Sequence, residues 1–285
     1  MKTAYGKYEE IEYTIFDPTG NVTVLVETAV DPSDQPSVAA GIMGLYPEVE
    51  QVGFVTFAAT GAGTPVADVP VSLRMAGGEF CGNATMCAAV LYMIVNDMPG
   101  EANVKVRVSG TKDPLDVRLV RRDAVSFDAA VTMPPAVGID ELKLSDGMLP
   151  GNDVLRLPVV RMEGIAHVII EPDSGFFGLK DDSALAETLL RGWCGVLGAE
   201  CLGMMFLDEG KGVRALTPLV YVPEADTMFW ENSCASGSAA AGIYLAAKTG
   251  RPVDVTFREP AGSLRVTSDP VSGRTVLYGS IALDR

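Results

Sequence analysis

Five cysteines and a single histidine are the residues whose chemistry is most tightly limited by number in this chain. The thiols stand at Cys81, Cys87, Cys194, Cys201 and Cys234. An odd count at wide spacing fits neither a disulfide framework nor paired CxxC zinc ligation, so they read as reduced thiols. With His167 alone, a scheme that needs a histidine base for a nucleophile, or several histidine ligands for a metal, has almost nothing to work with. Proton transfer falls to Cys, Asp, Glu, Lys or Tyr.

Two of the thiols share a setting. Cys81 precedes Gly82-Asn83-Ala84, Cys234 precedes Ala235-Ser236-Gly237, and each opens an Ala-rich stretch with the composition of a buried helix. Unpaired N–H groups and the positive end of the dipole at a helix N-terminus lower a thiol pKa toward neutrality and bind a carboxylate. Two such ends facing one another across a cleft would clamp one α-carboxylate and leave a sulfur on each face of the neighbouring Cα. One thiolate would remove the Cα proton while the other thiol delivers a proton to the opposite face, inverting configuration with no cofactor and no metal. A single buried cysteine before an Ala-rich helix is ordinarily an inert packing residue. The recurrence singles out this pair, whereas Cys87, Cys194 and Cys201 lack the setting and read as structural. A Cys81–Cys87 redox pair is disfavoured, since its spacing resembles no CxxC device.

Among the acidic residues, Glu79 and Glu231 lie just ahead of the two cysteines, and Glu50 opens Glu50-Gln51-Val52-Gly53-Phe54. Most acidic residues solvate a surface, but an amino-acid site needs a carboxylate for the substrate ammonium, and residues two or three positions before the cysteines can reach it. His167, in the apolar run Ile165–Ile170, reads as a half-buried, hydrogen-bonded histidine rather than a substrate contact.

These residues need elements to hold them. The opening segment alternates as a hairpin around Gly20-Asn21, Val38, Ile42, Leu45 and Tyr46 recur at helical spacing, and 52–57 returns to a strand. A buried helix is expected from Gly82 to Asn96, then strands at 104–108, 115–119 and 125–131 and a break at Pro134-Pro135. The second half offers strands at 157–160, 166–170, 204–207 and 219–222, a helix from Ala235, and strands at 253–257, 263–267 and 275–283. Laying the Cys81 segment on the Cys234 segment matches small residues with small and apolar with apolar at an offset of 234 − 81 = 153 residues. A repeat of half the chain suits two similar domains packed face to face. The expected fold is α+β, with two pseudo-symmetric domains, each a curled, mainly antiparallel sheet wrapped around a central helix. The first spans 1–133, completed by 274–285, and the second 134–273.

The 285 residues, 48% hydrophobic and 21% charged, form a globular composition able to bury a substantial core. A net charge of −15 argues against nucleic acid or an anionic membrane as partner, which leaves small molecules. Met1–Gly6 lacks an apolar signal core and no run of about 18 apolar residues exists, so a cytoplasmic location is expected.

The chain resembles the diaminopimelate epimerase fold family, whose paired cysteines lie in Cys-Gly-Asn and Cys-Gly-(Thr/Ser)-Gly loops. Within it the chain looks most like the histidine racemases of staphylopine-type metallophore biosynthesis. That likeness rests on Gly20-Asn21-Val22-Thr23, Glu50–Phe54, Gly78-Glu79-Phe80-Cys81-Gly82-Asn83-Ala84-Thr85-Met86, Gly203-Met204-Met205, Pro218–Glu224, Trp230-Glu231-Asn232-Ser233-Cys234 and Pro260-Ala261-Gly262-Ser263. It spans nearly the whole chain and implies a cofactor-independent amino-acid racemase in which Cys81 and Cys234 are the acid and base and Glu50 assists them. By the same resemblance, Asn21, Gly82, Asn83, Glu231, Ala235, Ser236 and Gly237 would bind the substrate. It implies a monomer of two domains, and a homodimer is left open. Ala235 stands where the family usually has glycine, which adds a Cβ beside the carboxylate cradle. The Asn-Pro-His stretch of diaminopimelate epimerases is here Ile165-Ala166-His167, which argues against diaminopimelate as substrate. Two other readings stand beside racemisation: a proton-shifting isomerase of another small acid, disfavoured by retention of both cysteines, and a catalytically inactive protein that captures an amino acid between its domains.

Overall fold

The computed structural model describes residues 10–58, 68–144, 155–210 and 213–284. The stretch Met1–Gly6, which entered the localisation reading, lies outside them. β1 (Tyr13–Pro18) and β2 (Thr23–Val26) form an antiparallel hairpin turned at Thr19 and Gly20, both at positive φ. Gly20 is required twice over, since its φ of +93° suits no Cβ and an added one would lie 2.2 Å from the Cβ of Ala261. This turn therefore seats against the 259–262 turn of the other half and places Asn21.

α1 (Gln35–Leu45) carries the chain to β3 (Gln51–Phe57), parallel to β2, and β4 (Val71–Met75) pairs antiparallel with β3. α2 (Gly82–Val95) crosses to β5 (Glu101–Val108), parallel to β4, and β6 (Leu115–Arg121) and β7 (Ser126–Thr132) follow as a meander. After β8 (Gly138–Leu144) and β9 (Leu155–Met162), the second half retraces this route. β10 (Ile165–Ile170), α3 (Ser183–Leu197) and β11 (Leu202–Asp208) form a parallel crossover. β12 (Arg214–Val222), with β13 (Thr227–Trp230) folded back on it, then leads through α4 (Ala235–Thr249) to the parallel β14 (Val253–Arg258), followed by β15 (Ser263–Ser268) and β16 (Thr275–Leu283). The order β2-α1-β3-β4-α2-β5 is thus matched by β10-α3-β11-β12-α4-β14.

The strands form one continuous sheet in the order β1 to β7, then β16, β15, β14, β12, β11, β10, β9 and β8, and β1 also pairs with β16. The first seven strands and β16 therefore close into a ring around α2, which packs against β1 through β7, while β9, β10, β11, β14 and β15 pack on α4 together with β16. The architecture is a mixed α/β fold of a sheet barrel and four helices among the described residues. β16 belongs to both halves, pairing with β15 on one edge and with β7 and β1 on the other.

α2 is buried from Gly82 through Met93 and α4 from Ala235 through Gly242, which is what an apolar, Ala-rich helix inside a curled sheet requires. α3 lies outside the sequence-based expectations. Asp182 nonetheless caps it, Gly198 ends it in the left-handed conformation, and Ala186, Leu190, Trp193 and Cys194 line its buried side at helical spacing. No helix of the described residues is long and apolar enough to cross a membrane.

Candidate active site

Both singled-out cysteines are N-caps in the strict sense. Cys81 is extended at φ −131°, and its Sγ accepts the Ala84 N–H at 3.4 Å. Cys234, at φ −125°, accepts the Gly237 N–H on its Sγ at 3.3 Å. The thiols occupy the place usually taken by a Ser or Asp oxygen, so the helix geometry that buries α2 and α4 also aims each sulfur at the helix axis. The two helix heads touch, because a methyl added at Gly82 would lie 2.9 Å from the Cβ of Ala235.

Between them is a cavity of about 20 Å³, lined by Asn21, Gln51, Phe80, Cys81, Gly82, Asn83, Ile165, Glu231, Cys234, Ala235 and Ser236 among others. It has room for little more than one water-sized group. Glu79, Gln51, Val220, Val222 and Glu231 also form the inner wall of an outer chamber of about 450 Å³, whose far side is built from Pro36, Ala39 and Met43 of α1 and Phe229 of β13. An amino acid could place its Cα at the sulfurs and its side chain in this chamber.

Eight of the ten expected site residues, namely Asn21, Cys81, Gly82, Asn83, Glu231, Cys234, Ala235 and Ser236, line the small cavity. Gly237 and Glu50 do not. Gly237 contributes only its N–H, and a Cβ there would lie 3.1 Å from the Cys234 sulfur. Glu50 lies one layer out, on the chamber wall, where it accepts from Asn21 Nδ2 at 2.6 Å and from Asn232 Nδ2 at 2.6 Å. It ties the first half of the chain to the second. Gln51 does the same by donating to Glu231 at 2.9 Å, and Asn83 by donating to the Ser233 carbonyl at 3.1 Å. Once their amide nitrogens are so used, the Oδ1 atoms of Asn21 and Asn83 remain buried without a partner. Two acceptors beside the sulfurs suit an ammonium donor.

The helix ends do not lower the thiol pKa values in this closed cavity. Burial pushes Cys81 and Cys234 well above the ordinary thiol range, outweighing the Ala84 N–H at one sulfur and the Ser236 hydroxyl, 3.6 Å away, at the other. Glu231 and Glu259 raise Cys234 further, and Glu231 raises Cys81. Glu231 is itself lifted to about 8, mainly by burial, and accepts from the Cys234 thiol. Burial also raises Glu50 and Glu79. The Arg74 guanidinium opposes the rise at Glu79 without cancelling it. Among its described lining residues the small cavity has acceptors and no lysine or arginine.

His167 is fully buried, deeper than the half-buried position expected, and its Nε2 meets Ser236 Oγ at 3.1 Å. Burial holds it near 3, so the ring is neutral. Cys87, Cys194 and Cys201 are buried away from the cavity. Sequence reasoning missed Asn232 and, above all, Glu259, whose carboxylate accepts the Cys234 N–H at 2.5 Å. Nothing in a spacing of 259 − 234 = 25 residues signals that contact.

Residues 10–277 match the family model described as the histidine racemase CntK N-terminal domain. A histidine racemase of Staphylococcus aureus is 30% identical over 90% of this chain and 88% of its own length. One of Fusobacterium nucleatum is 30% identical over 84% and 83%. Among solved structures, a probable proline racemase from Agrobacterium radiobacter superposes with a TM-score of 0.67 at 14% identity, covering 96% of this chain and 92% of its own. A hydroxyproline epimerase from Agrobacterium vitis, solved with trans-4-hydroxy-L-proline, gives 0.65 at 13% over 96% and 89%. A Bacillus anthracis protein of the PhzF family gives 0.59 at 13% over 96% and 97%. These three likenesses concern the fold.

Proposed function

The chain belongs to the histidine racemase family, and from that premise we propose that it interconverts L- and D-histidine with Cys81 and Cys234 as acid and base. It is an isomerase of the racemase and epimerase class. The observation that carries the two-thiol reading is the contact of two helix heads, each capped by a cysteine sulfur, around one small cavity.

In this reading the substrate carboxylate lies between the first-turn N–H groups of α2 and α4, and Asn21 Oδ1, Asn83 Oδ1 and Glu231 take the ammonium. Glu50 acts by holding Asn21 and Asn232. Ala235, Ser236 and Gly237 shape the cradle. The substrate ammonium places a positive charge beside the sulfurs, which opposes the effect of burial and brings a thiolate within reach. That thiolate takes the Cα proton and becomes a thiol, the electron pair passes onto the carboxylate held at the helix ends, and the opposite thiol returns a proton to the other face and becomes the thiolate. Charges balance, and the two cysteines exchange protonation states at each turnover. The acid-walled chamber then receives the imidazole. The two structural halves carry one acid/base group each, with boundaries near residue 133 and residue 274.

Incubation with L-histidine in heavy water, followed by NMR of the Cα proton and by chiral chromatography, tests this. D-histidine bearing deuterium at Cα is the expected product. Binding of histidine without exchange would make the protein a receptor, and exchange with no D-histidine would exclude inversion between two bases.

A further inference from the structure

Glu259 is a carboxylate with 4% of its surface exposed, placed behind the first turn of α4 rather than in the cavity. One of its oxygens accepts the backbone N–H of Cys234 at 2.5 Å and the other accepts the Ser238 hydroxyl. Among the described residues no cation pairs with it. Its position is held from both sides: Glu259 N–H donates to the Gly262 carbonyl at 2.8 Å, and Ala261 N–H donates to Asn232 at 3.1 Å. The Gly20 turn packs against the same segment. At the head of α2 no carboxylate takes the Cys81 N–H among the described residues, so the two thiols, matched in backbone, differ in what stands behind them.

We propose that Glu259 is a positioning residue for Cys234, fixing the thiol through its backbone N–H and sharing with it a single negative charge, so that ionisation of one opposes ionisation of the other. This rests on the reading of Cys234 as an acid/base group. A buried carboxylate facing a helix head would be expected to hold its proton weakly, yet burial lifts Glu259 to about 8 despite both hydrogen bonds. Its neutral form is therefore available near neutral pH, and its charged form raises Cys234. The other titratable groups facing Cys234 are Glu231, Cys81 and Glu79, with His167 beyond Ser236 and Glu50 behind Glu231. Of these, only Glu231 also touches Cys234.

The test compares the parent enzyme with Glu259→Gln, in which the amide oxygen still accepts the Cys234 N–H and the Ser238 hydroxyl can turn to accept from the amide nitrogen. Site-resolved alkylation by iodoacetamide, read by mass spectrometry between pH 6 and pH 9, follows the Cys234 thiolate whether or not any amino acid is racemised. The Gln protein should match the parent at pH 6 and label Cys234 about tenfold faster at pH 9, the size of a one-unit change in thiol pKa, with Cys81 labelled at the parent rate. In the racemisation assay the alkaline limb of kcat/KM should move upward in the Gln protein. A labelling ratio that stays at one, a change of equal size at Cys81, or a Gln protein that leaves Cys234 unlabelled at pH 9 would overturn the assignment. If the labelling shift appears while no amino acid is racemised, the coupling stands and the racemase reading fails.

Discussion

Replacing Gly82 with alanine probes the point where the two helix heads meet. The new methyl would lie 2.9 Å from the Cβ of Ala235, whereas its next neighbours, the Cε and Sδ of Met133, stand at 3.5 and 3.7 Å. Carbon atoms pack at about 3.5–4.0 Å, so the pair is too close by about 0.6–1.1 Å. Neither atom ends a flexible side chain. The helix heads must part, carrying Cys81 and Cys234 with them. A misplacement of about 1 Å at a reacting centre lowers a rate about 100-fold, or about 2.7 kcal/mol in the barrier. Overpacking should destabilise the fold by about 1–3 kcal/mol, partly offset by about 0.5–1 kcal/mol from replacing a helical glycine. The expected result is kcat/KM for histidine down about 100-fold, with a melting temperature lower by no more than about 10 °C. Gly82→Ala combined with Ala235→Gly moves the methyl from one helix head to the other and should recover most of the lost rate. Polarimetry and calorimetry on the three proteins decide the matter. A single variant racemising at the parent rate, or a double variant no better than the single, would show that the helix heads are not in the contact described.

Cys81→Ala and Cys234→Ala should each abolish racemisation in both directions yet retain solvent exchange at Cα, one for the L- and the other for the D-enantiomer, because each leaves a base on one face. NMR in heavy water reads this, and racemisation near the parent rate by either protein excludes the two-thiol mechanism. Stability should depend on pH in an unusual direction. Burial raises Glu231 and Glu259 from 4.5 to about 8, so both are neutral in the fold while ionised in the unfolded chain between those values. The stability they contribute is complete below about pH 4.5 and is lost as pH rises toward 8, on the order of 5 kcal/mol for each carboxyl. Calorimetry should give a lower melting temperature at pH 9 than at pH 6, and a flat or rising trend would refute the buried, unpaired state of the two carboxylates.

What could be read from the sequence was local. A cysteine ahead of an Ala-rich run makes an N-cap and a buried helix within a dozen residues, and doing so twice at a fixed offset implies a repeated unit. That much followed from side-chain chemistry and periodicity in short windows, as did the hairpin at Gly20 and the strands that follow α2 and α4, whereas β4 and β13, which lead into the two helices, were not read. α3 carries equally local signals, in its Asp182 cap and its Ala186, Leu190 and Trp193 spacing, and stood within reach of the same reasoning.

Properties that depend on segments distant in the chain were decided by the tertiary structure. Glu50 and Gln51 reach Asn232 and Glu231 across the two halves, and Glu50 thereby settles on the chamber wall rather than beside the sulfurs. Glu259 arrives behind Cys234 because β14 runs beside β12 and the following turn folds onto Thr19 and Gly20. The thiol pKa values went the opposite way to the helix-dipole expectation for the same cause. A dipole is set by a few neighbouring peptides, whereas desolvation is set by everything that closes over the site, and only the assembled sheets remove the water.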